Sequence, residues 1–197
     1  MCGNGIRCVG KYVHDKGRTA KTELDIETLS GLKHLSLHLT EGKVSSVTVD
    51  MGFAIVSEEK ALSLGEETVV CTPVDVGNPH AVTFVEDAEA VPLETLGPKV
   101  EKHPAFPGGV NAEFVQVLDA RSLRMRVWER GSGVTLACGT GACASAAAAV
   151  AKGFCAAGEP VAVRLDGGTL TVTVAADGEI KMTGPCEFVC EGDTEIC

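Results

Sequence analysis

The sequence predicts an α+β protein of two similar halves, in which a helix led by a cysteine is followed by an antiparallel meander of strands. Residues 2–5 read Cys-Gly-Asn-Gly, and residues 138–141 repeat this pattern as Cys-Gly-Thr-Gly. A Lys-Gly pair, which is a helix stop signal, ends fifteen residues after each cysteine, at Gly17 and Gly153. Alternating apolar residues then follow in both copies, as expected for half-buried strands.

The composition narrows the classes of protein that this chain can belong to. Of its 197 residues, 45% are hydrophobic and 22% are charged, which excludes a disordered chain. A net charge of −10 argues against a partner that is a nucleic acid. The longest apolar run, residues 142–151, is too short to span a membrane. Nine cysteines, an odd number without a visible secretory signal, indicate a reduced set in the cytoplasm.

Periodicity predicts three helices and a series of short strands. One helix places Ile6, Val9 and Val13 on a single face, one covers residues 93–101, and one is the Ala-rich segment 142–152. The predicted strands share alternation of apolar and polar residues, and they cover residues 24–27, 35–39, 47–49, 80–85, 113–118, 122–129, 161–165, 170–174 and 180–182. Turns are expected at residues 41–42, 119–120, 166–168 and 177–178.

The two copies differ in what precedes the cysteine. Residues 73–137 form about one more structural unit before Cys138, whereas only Met1 precedes Cys2. By the symmetry of the repeat we expect roughly 65 residues to be missing at the front of the first half. We therefore predict a chain that is weakly active or inactive by itself, and poorly soluble.

The repeated Cys-Gly pattern at a helix start indicates a specific chemistry. The first N–H groups of a helix lack partners within the helix and favour an anion, and glycine lets a carboxylate approach them. The same field is expected to lower the pKa of a cysteine. Two such helices pointing at one carboxylate would place Cys2 and Cys138 on opposite faces of the neighbouring carbon, which suggests stereoinversion without a cofactor. Cys8 and Cys143 lie inside the helices and are expected in the core.

At these residues the chain resembles the diaminopimelate epimerase family of cofactor-independent amino-acid epimerases. Four segments carry the resemblance, in matching order and spacing: residues 1–8, residues 77–80 (Gly-Asn-Pro-His), residues 108–111 (Gly-Gly-Val-Asn), and residues 128–131 followed by 137–141. The resemblance implies conversion of LL-diaminopimelate to meso-diaminopimelate, with no cofactor and no metal. It implies one small-molecule partner, the amino-acid substrate, and is compatible with a homodimer.

The resemblance also assigns roles to residues. Cys2 and Cys138 would be the acid and base pair. The reacting carboxylate would be held by backbone N–H groups of Gly3, Asn4, Gly139 and Thr140. The rest of the substrate would be recognised by Asn78, Asn111, Glu129 and Arg130. The cysteines would be tuned by His80 and Glu129. Glu113 stands where the family resemblance leads us to expect Asn, and we treat that difference as minor.

In the fold that this resemblance implies, each half wraps a mostly antiparallel sheet around a central helix, and the first half is incomplete. Residues 1–50 and 185–197, with a strand at 187–191, would form the first half, and residues 51–184 the second. The substrate would lie in the cleft between them. Two alternatives remain open: another cofactor-independent racemase, of the proline racemase type, and a non-catalytic fragment that pairs with another chain.

Overall fold

The computed structural model describes residues 2–65 and 67–192. Within this part of the chain there are three helices: α1 (Gly3–Asp15), α2 (Leu93–Glu101) and α3 (Gly139–Ala151). The strands are β1 (Glu23–Thr28), β2 (Gly31–Thr40), β3 (Lys43–Phe53), β4 (Ile55–Val56), β5 (Lys60–Ser63), β6 (Thr68–Asp75), β7 (Pro79–Phe84), β8 (Asn111–Asp119), β9 (Ser122–Glu129), β10 (Gly133–Val134), β11 (Pro160–Leu165), β12 (Gly168–Val174) and β13 (Glu179–Pro185). None of these helices is long and apolar enough to cross a bilayer. Met1 and residues 193–197, which belong to the predicted first half, lie outside the described residues.

One twisted sheet connects almost all of the strands. Its order is β1-β2-β3-β13-β12-β11-β9-β8-β7-β6-β4, with β10 paired to β9 and β5 paired to β6. Every pair is antiparallel except β7 with β8 and β9 with β11. The α+β class with a mostly antiparallel sheet is therefore confirmed. Strand β13 pairs with β3, so the strands that follow α1 continue directly into those around α3. The division of the chain at residues 50/51 and 184/185 stays a prediction.

The predicted elements agree with the structure best where a local signal marks both ends. Helix α2 and strand β9 have the bounds expected from the sequence, and the other predicted strands shift by a few residues at most. Strands β4, β5, β6 and β10 were not predicted. The strand expected at 187–191 was wrong: the chain leaves the sheet at Pro185, which has no N–H to donate to a continuing ladder. Beyond Pro185, the aromatic ring of Phe188 lies against α1, with its centroid 5.6 Å from Lys11 Nζ.

The two long helices are buried in different ways. Helix α3 is buried all round, with ten of its residues shielded from solvent, and its alanines let several strands approach it closely. Helix α1 packs one face on β2 and β3: a Cβ added at Gly10 would lie 3.0 Å from methyl groups of Leu35 and Leu37. Ile6 is buried as predicted, but Val9 is 45% exposed, so the predicted apolar face is only partly correct. These contacts fix the direction of both helices, so that the start of each is held in place by the sheet.

The end of α1 carries a buried carboxylate that gives a testable dependence of stability on pH. Burial raises the pKa of Asp15, but hydrogen bonds from the Val44 amide, Lys11 and His14 outweigh it and lower the pKa from 3.8 to about 2. The side chain is only 2% exposed, and Lys11 Nζ lies 2.9 Å from Oδ2.

Because the pKa is lowered in the folded state, the ionised Asp15 stabilises the fold above its unfolded pKa and loses this effect as the pH falls towards 2. We expect Asp15→Asn to reduce the free energy of unfolding by about 1–2 kcal/mol at pH 6, and by much less near pH 2.5. Urea unfolding of both proteins across this range measures the difference. An equal difference at both pH values would show that the carboxylate charge is not the cause.

Candidate active site

The two repeated cysteines occupy equivalent positions, each capping the start of a long helix. Helices α1 and α3 begin one residue after Cys2 and Cys138, and both cysteines have extended backbone. The sulfur of Cys2 accepts a hydrogen bond from the Gly5 amide at 3.4 Å, and the sulfur of Cys138 accepts one from the Gly141 amide at 3.3 Å. The repeat seen in the sequence is therefore a repeat of local structure, in which a thiol takes the place of the usual capping oxygen.

These two helix starts meet in space. A Cβ built on Gly139 would lie only 3.6 Å from the Cα of Gly3, and both glycines lie against the buried side chain of Met182 on β13. Since each cysteine is one peptide unit away, the Cα atoms of Cys2 and Cys138 cannot be more than about 13 Å apart. The starts of α1 and α3 therefore lie side by side, while the convergence of the two sulfurs on one carbon stays a prediction.

The meeting helix starts leave polar groups available for an anion. The N–H groups in the first turn of α1 and of α3 point toward their common end, where their partial positive charge favours a carboxylate. Asn4 links the two segments, because its side-chain amide donates to the carbonyl oxygen of Ala137 at 3.4 Å. The other side-chain atom of Asn4, Oδ1, is buried and has no hydrogen-bond partner among the described residues.

The two cysteines differ sharply in their surroundings. Cys2 is exposed, whereas Cys138 is 5% exposed. Burial raises the pKa of Cys138 to about 12, and the carboxylates of Glu113 and Glu129 contribute to the rise. Hydrogen bonds from Thr140 and from the Gly141 amide oppose the rise but do not cancel it. The expectation that the helix start lowers the pKa of this cysteine was therefore wrong, since burial and neighbouring negative charge outweigh the helix.

A chain of hydrogen-bonded polar side chains connects Cys138 at the start of α3 with His80 on β7. Its sulfur lies 3.5 Å from Thr140 Oγ1, and Asn78 Nδ2 donates to the same hydroxyl oxygen at 3.4 Å. Asn78 Oδ1 is in turn 3.1 Å from His80 Nε2. The structure thus brings the predicted residues Asn78, His80 and Thr140 together around Cys138.

His80 has a second partner that sequence reasoning set aside. His80 Nδ1 and Glu113 Oε1 lie 2.6 Å apart, and both side chains are fully buried. The interpretation of Glu113 as a minor difference was wrong. A signal was present in the sequence: Glu113 is an ionisable residue next to the apolar run Phe114–Val115, and a buried carboxylate needs a partner. What the sequence could not supply is the parallel pairing of β7 with β8 that places His80 beside it.

The remaining predicted residues lie at the ends of β8 and β9. The Asn111 side chain donates to the carbonyl oxygen of Pro79 at 3.2 Å and accepts from the Arg130 amide at 2.8 Å. It therefore ties the start of β7 to the end of β9. The hydroxyl of Thr135 donates to Glu129 Oε1 at 2.5 Å. The guanidinium of Arg130, an exposed residue, donates to the carbonyl oxygen of Gly108 at 3.1 Å.

An open cleft of about 330 Å³ lies next to this cluster. Its lining includes Asn78 and Thr140, together with Lys33, Met51 and Phe53. Neither Cys2 nor Cys138 lines it directly, but Thr140 joins the cleft to the sulfur of Cys138. In residues 2–65 and 67–192, no three His, Cys, Asp or Glu side chains are grouped so that they could hold a metal ion.

Comparison with known proteins decides the family. The family model described as diaminopimelate epimerase matches residues 72–189. A protein named diaminopimelate epimerase from Bacteroides thetaiotaomicron is 50% identical over 99% of this chain and 72% of its own length. The chain belongs to the diaminopimelate epimerase family. A second family member, from Geobacillus kaustophilus, is 48% identical over 97% of this chain and 71% of its own length.

Solved structures show how far the diaminopimelate epimerase fold extends. A hydroxyproline epimerase from Agrobacterium vitis superposes with a TM-score of 0.74 at 21% identity, over 94% of this chain and 64% of that one. A probable proline racemase from Agrobacterium radiobacter gives 0.73 at 19% identity, over 94% and 65%. At such identities the likeness concerns the fold alone. The chain spans about 65% of these two structures, and about 70% of the curated family members above.

Proposed function

We propose that this chain interconverts LL-diaminopimelate and meso-diaminopimelate by moving a proton between two cysteine sulfurs. The observation that carries the proposal is the pair of meeting helix starts, each capped by a cysteine whose sulfur takes the capping hydrogen bond. The choice of substrate is supported by sequence identity. This chain is 48–50% identical to two proteins named diaminopimelate epimerase, but only 19–21% identical to the proteins named probable proline racemase and hydroxyproline epimerase.

In the proposed reaction the substrate carboxylate lies between the starts of α1 and α3. A thiolate on one face removes the α-proton, and the electron pair of the broken C–H bond moves into the carboxylate. The helix N–H groups stabilise the added negative charge. A thiol on the other face then donates its proton to the α-carbon, which forms the new C–H bond with inverted configuration. The first sulfur ends protonated and the second ends as the thiolate, so charge and protons balance.

The different surroundings of the cysteines support an assignment of their starting states. Cys138, which is buried beside Glu113, begins as the thiol and donates the proton, and Cys2 begins as the base. In the reverse reaction the protonation states are exchanged: Cys138 begins as the thiolate base and Cys2 as the thiol acid. Closure of the site over the substrate would exclude water from the carbanion.

The proposal extends to the rest of the substrate and its setting. Gly3, Asn4, Gly139 and Thr140 hold the reacting carboxylate, and Asn78, Asn111, Glu129 and Arg130 recognise the remaining polar groups. Arg130 suits a distal carboxylate because its guanidinium offers paired donors, and Glu129 suits an ammonium group. The cleft between the two proposed halves holds the substrate. The reaction takes place in the cytoplasm, which the nine cysteines without a visible secretory signal support. It involves no nucleic acid, which the net charge of −10 supports. The homodimer stays a prediction.

Incubation of the purified chain with LL-diaminopimelate in D2O tests the function directly. We expect deuterium to enter the α-position and the meso isomer to form slowly, because the sequence predicts a chain that is only weakly active by itself. NMR and chiral chromatography follow both changes. L-Proline and hydroxyproline, incubated in parallel, should stay unlabelled, because neither has a distal charged end. Exchange into proline but not into diaminopimelate would replace this proposal with the racemase alternative.

A further inference from the structure

Glu113 lies beside the sulfur of Cys138 as well as beside His80. Its Oε1 atom is 2.8 Å from the point where a Cβ on Gly141 would lie, and Cys138 Sγ is 3.2 Å from that same point. The two atoms are therefore no more than about 6 Å apart. The absence of a side chain at Gly141 is what leaves room for a carboxylate next to the catalytic sulfur.

The carboxylate of Glu113 has no structural explanation in the core around it. The side chain is 0% exposed, and Oε2 has no hydrogen-bond partner among the described residues. A buried carboxylate with one unpaired oxygen destabilises a fold, and an apolar side chain of the same size would fit as well or better. The position of this charge therefore points to a role in the neighbouring site.

Few charged or titratable groups face this cluster, so the influence of Glu113 can be isolated. His80 on β7 faces Glu113, and Glu113 on β8 lies near Cys138 at the start of α3. Glu129 from β9 also acts on Cys138, and Cys143 follows on the same helix. The hydrogen bond to His80 fixes the carboxylate in one place, and Asn78 holds the far side of the His80 ring.

We propose that Glu113 is a positioning residue for Cys138. The Glu113 carboxylate, held in place by His80, keeps the sulfur of Cys138 protonated in the resting site. By this means the site begins the LL-to-meso reaction with a defined proton donor on one face of the substrate. The inference rests on the proposed function for its catalytic meaning, but its effect on the thiol can be measured without substrate.

The test is the rate at which iodoacetamide alkylates Cys138, measured between pH 6 and pH 10 by mass spectrometry of the digested peptides. Glu113→Gln and Glu113→Met both remove the charge. If Glu113→Gln does not fold, Glu113→Met is used for the measurement instead. We expect Cys138 to react roughly three- to tenfold faster in these variants, with its profile moved to lower pH. Glu113→Asp retains the charge and should stay within about twofold of the unaltered protein.

Two buried cysteines in the same digest, Cys71 and Cys143, report any general loosening of the core. A faster reaction at Cys138 alone supports the proposal. An unchanged profile at Cys138 overturns it, and so does an equal acceleration at all three cysteines, because that result would mean a structural role. The D2O experiment with diaminopimelate is separate: its failure would remove the epimerase function while leaving the effect of Glu113 on the thiol in place.

Discussion

Replacing Cys138 with serine is expected to reduce α-proton exchange into diaminopimelate by at least about 1000-fold while leaving the fold intact. A serine oxygen can accept the hydrogen bond from the Gly141 amide that the sulfur accepts now, so the cap of α3 is kept. A hydroxyl is a much weaker acid than a thiol, however, and cannot serve in turn as proton donor and base at neutral pH. Cys2→Ser should have the same effect on exchange.

The matched control is Cys8→Ser. The prediction that Cys8 lies in the core was wrong: it is exposed on α1, and only Cys143 of that pair is buried. Cys8 takes no part in the proposed reaction. Its exchange rate should equal that of the unaltered protein, and circular dichroism should be the same for all three variants. If Cys138→Ser or Cys2→Ser retains full exchange, that sulfur is not one of the two proton carriers.

A methyl group at Gly141 is expected to damage both stability and activity. The new Cβ of Gly141→Ala would lie 2.8 Å from Glu113 Oε1 and 3.2 Å from Cys138 Sγ, and both neighbours are buried and bonded. We expect a loss of about 1–3 kcal/mol in the free energy of unfolding, although alanine favours a helix. Displacement of the sulfur by about 1 Å should lower the exchange rate by roughly 100-fold.

Gly5 is the matched position at the start of α1. A Cβ there would lie 3.7 Å from the Cys2 side chain, which is ordinary van der Waals contact. Gly5→Ala should therefore unfold at the same urea concentration as the unaltered protein, or at a slightly higher one. If Gly141→Ala is equally stable, the crowding around Cys138 is not as tight as the geometry indicates.

Local signals in the sequence were sufficient for the parts of the fold that place the two cysteines. The Cys-Gly repeat and the Lys-Gly stops predicted α1 and α3, since the start and end of a helix depend on nearby residues. Strand β9 was predicted because Leu123, Met125 and Val127 alternate with polar residues after the turn at 119–120. Strand β6 was missed because it is buried irregularly, and the strand at 187–191 was predicted where Pro185 had already ended the ladder.

The electrostatics of the site depend on contacts that no local pattern shows. The raised pKa of Cys138 follows from burial by strands far away in the chain and from Glu113, 25 positions earlier. The contact of Glu113 with His80 depends on a parallel strand pair. Sequence reasoning therefore led to the proposal of two reacting cysteines, but it could not indicate which of them begins with the proton.

The origin of the proton in the product tests most directly the claim that two groups act on opposite faces. In D2O, LL-diaminopimelate should yield meso-diaminopimelate that carries deuterium at the inverted carbon from the first turnover, while the LL-isomer that remains keeps its protium. Mass spectrometry of the separated isomers at low conversion shows this. Product that retains the original α-proton would mean that one group removes and returns it, which contradicts an arrangement with Cys2 and Cys138 on opposite sides.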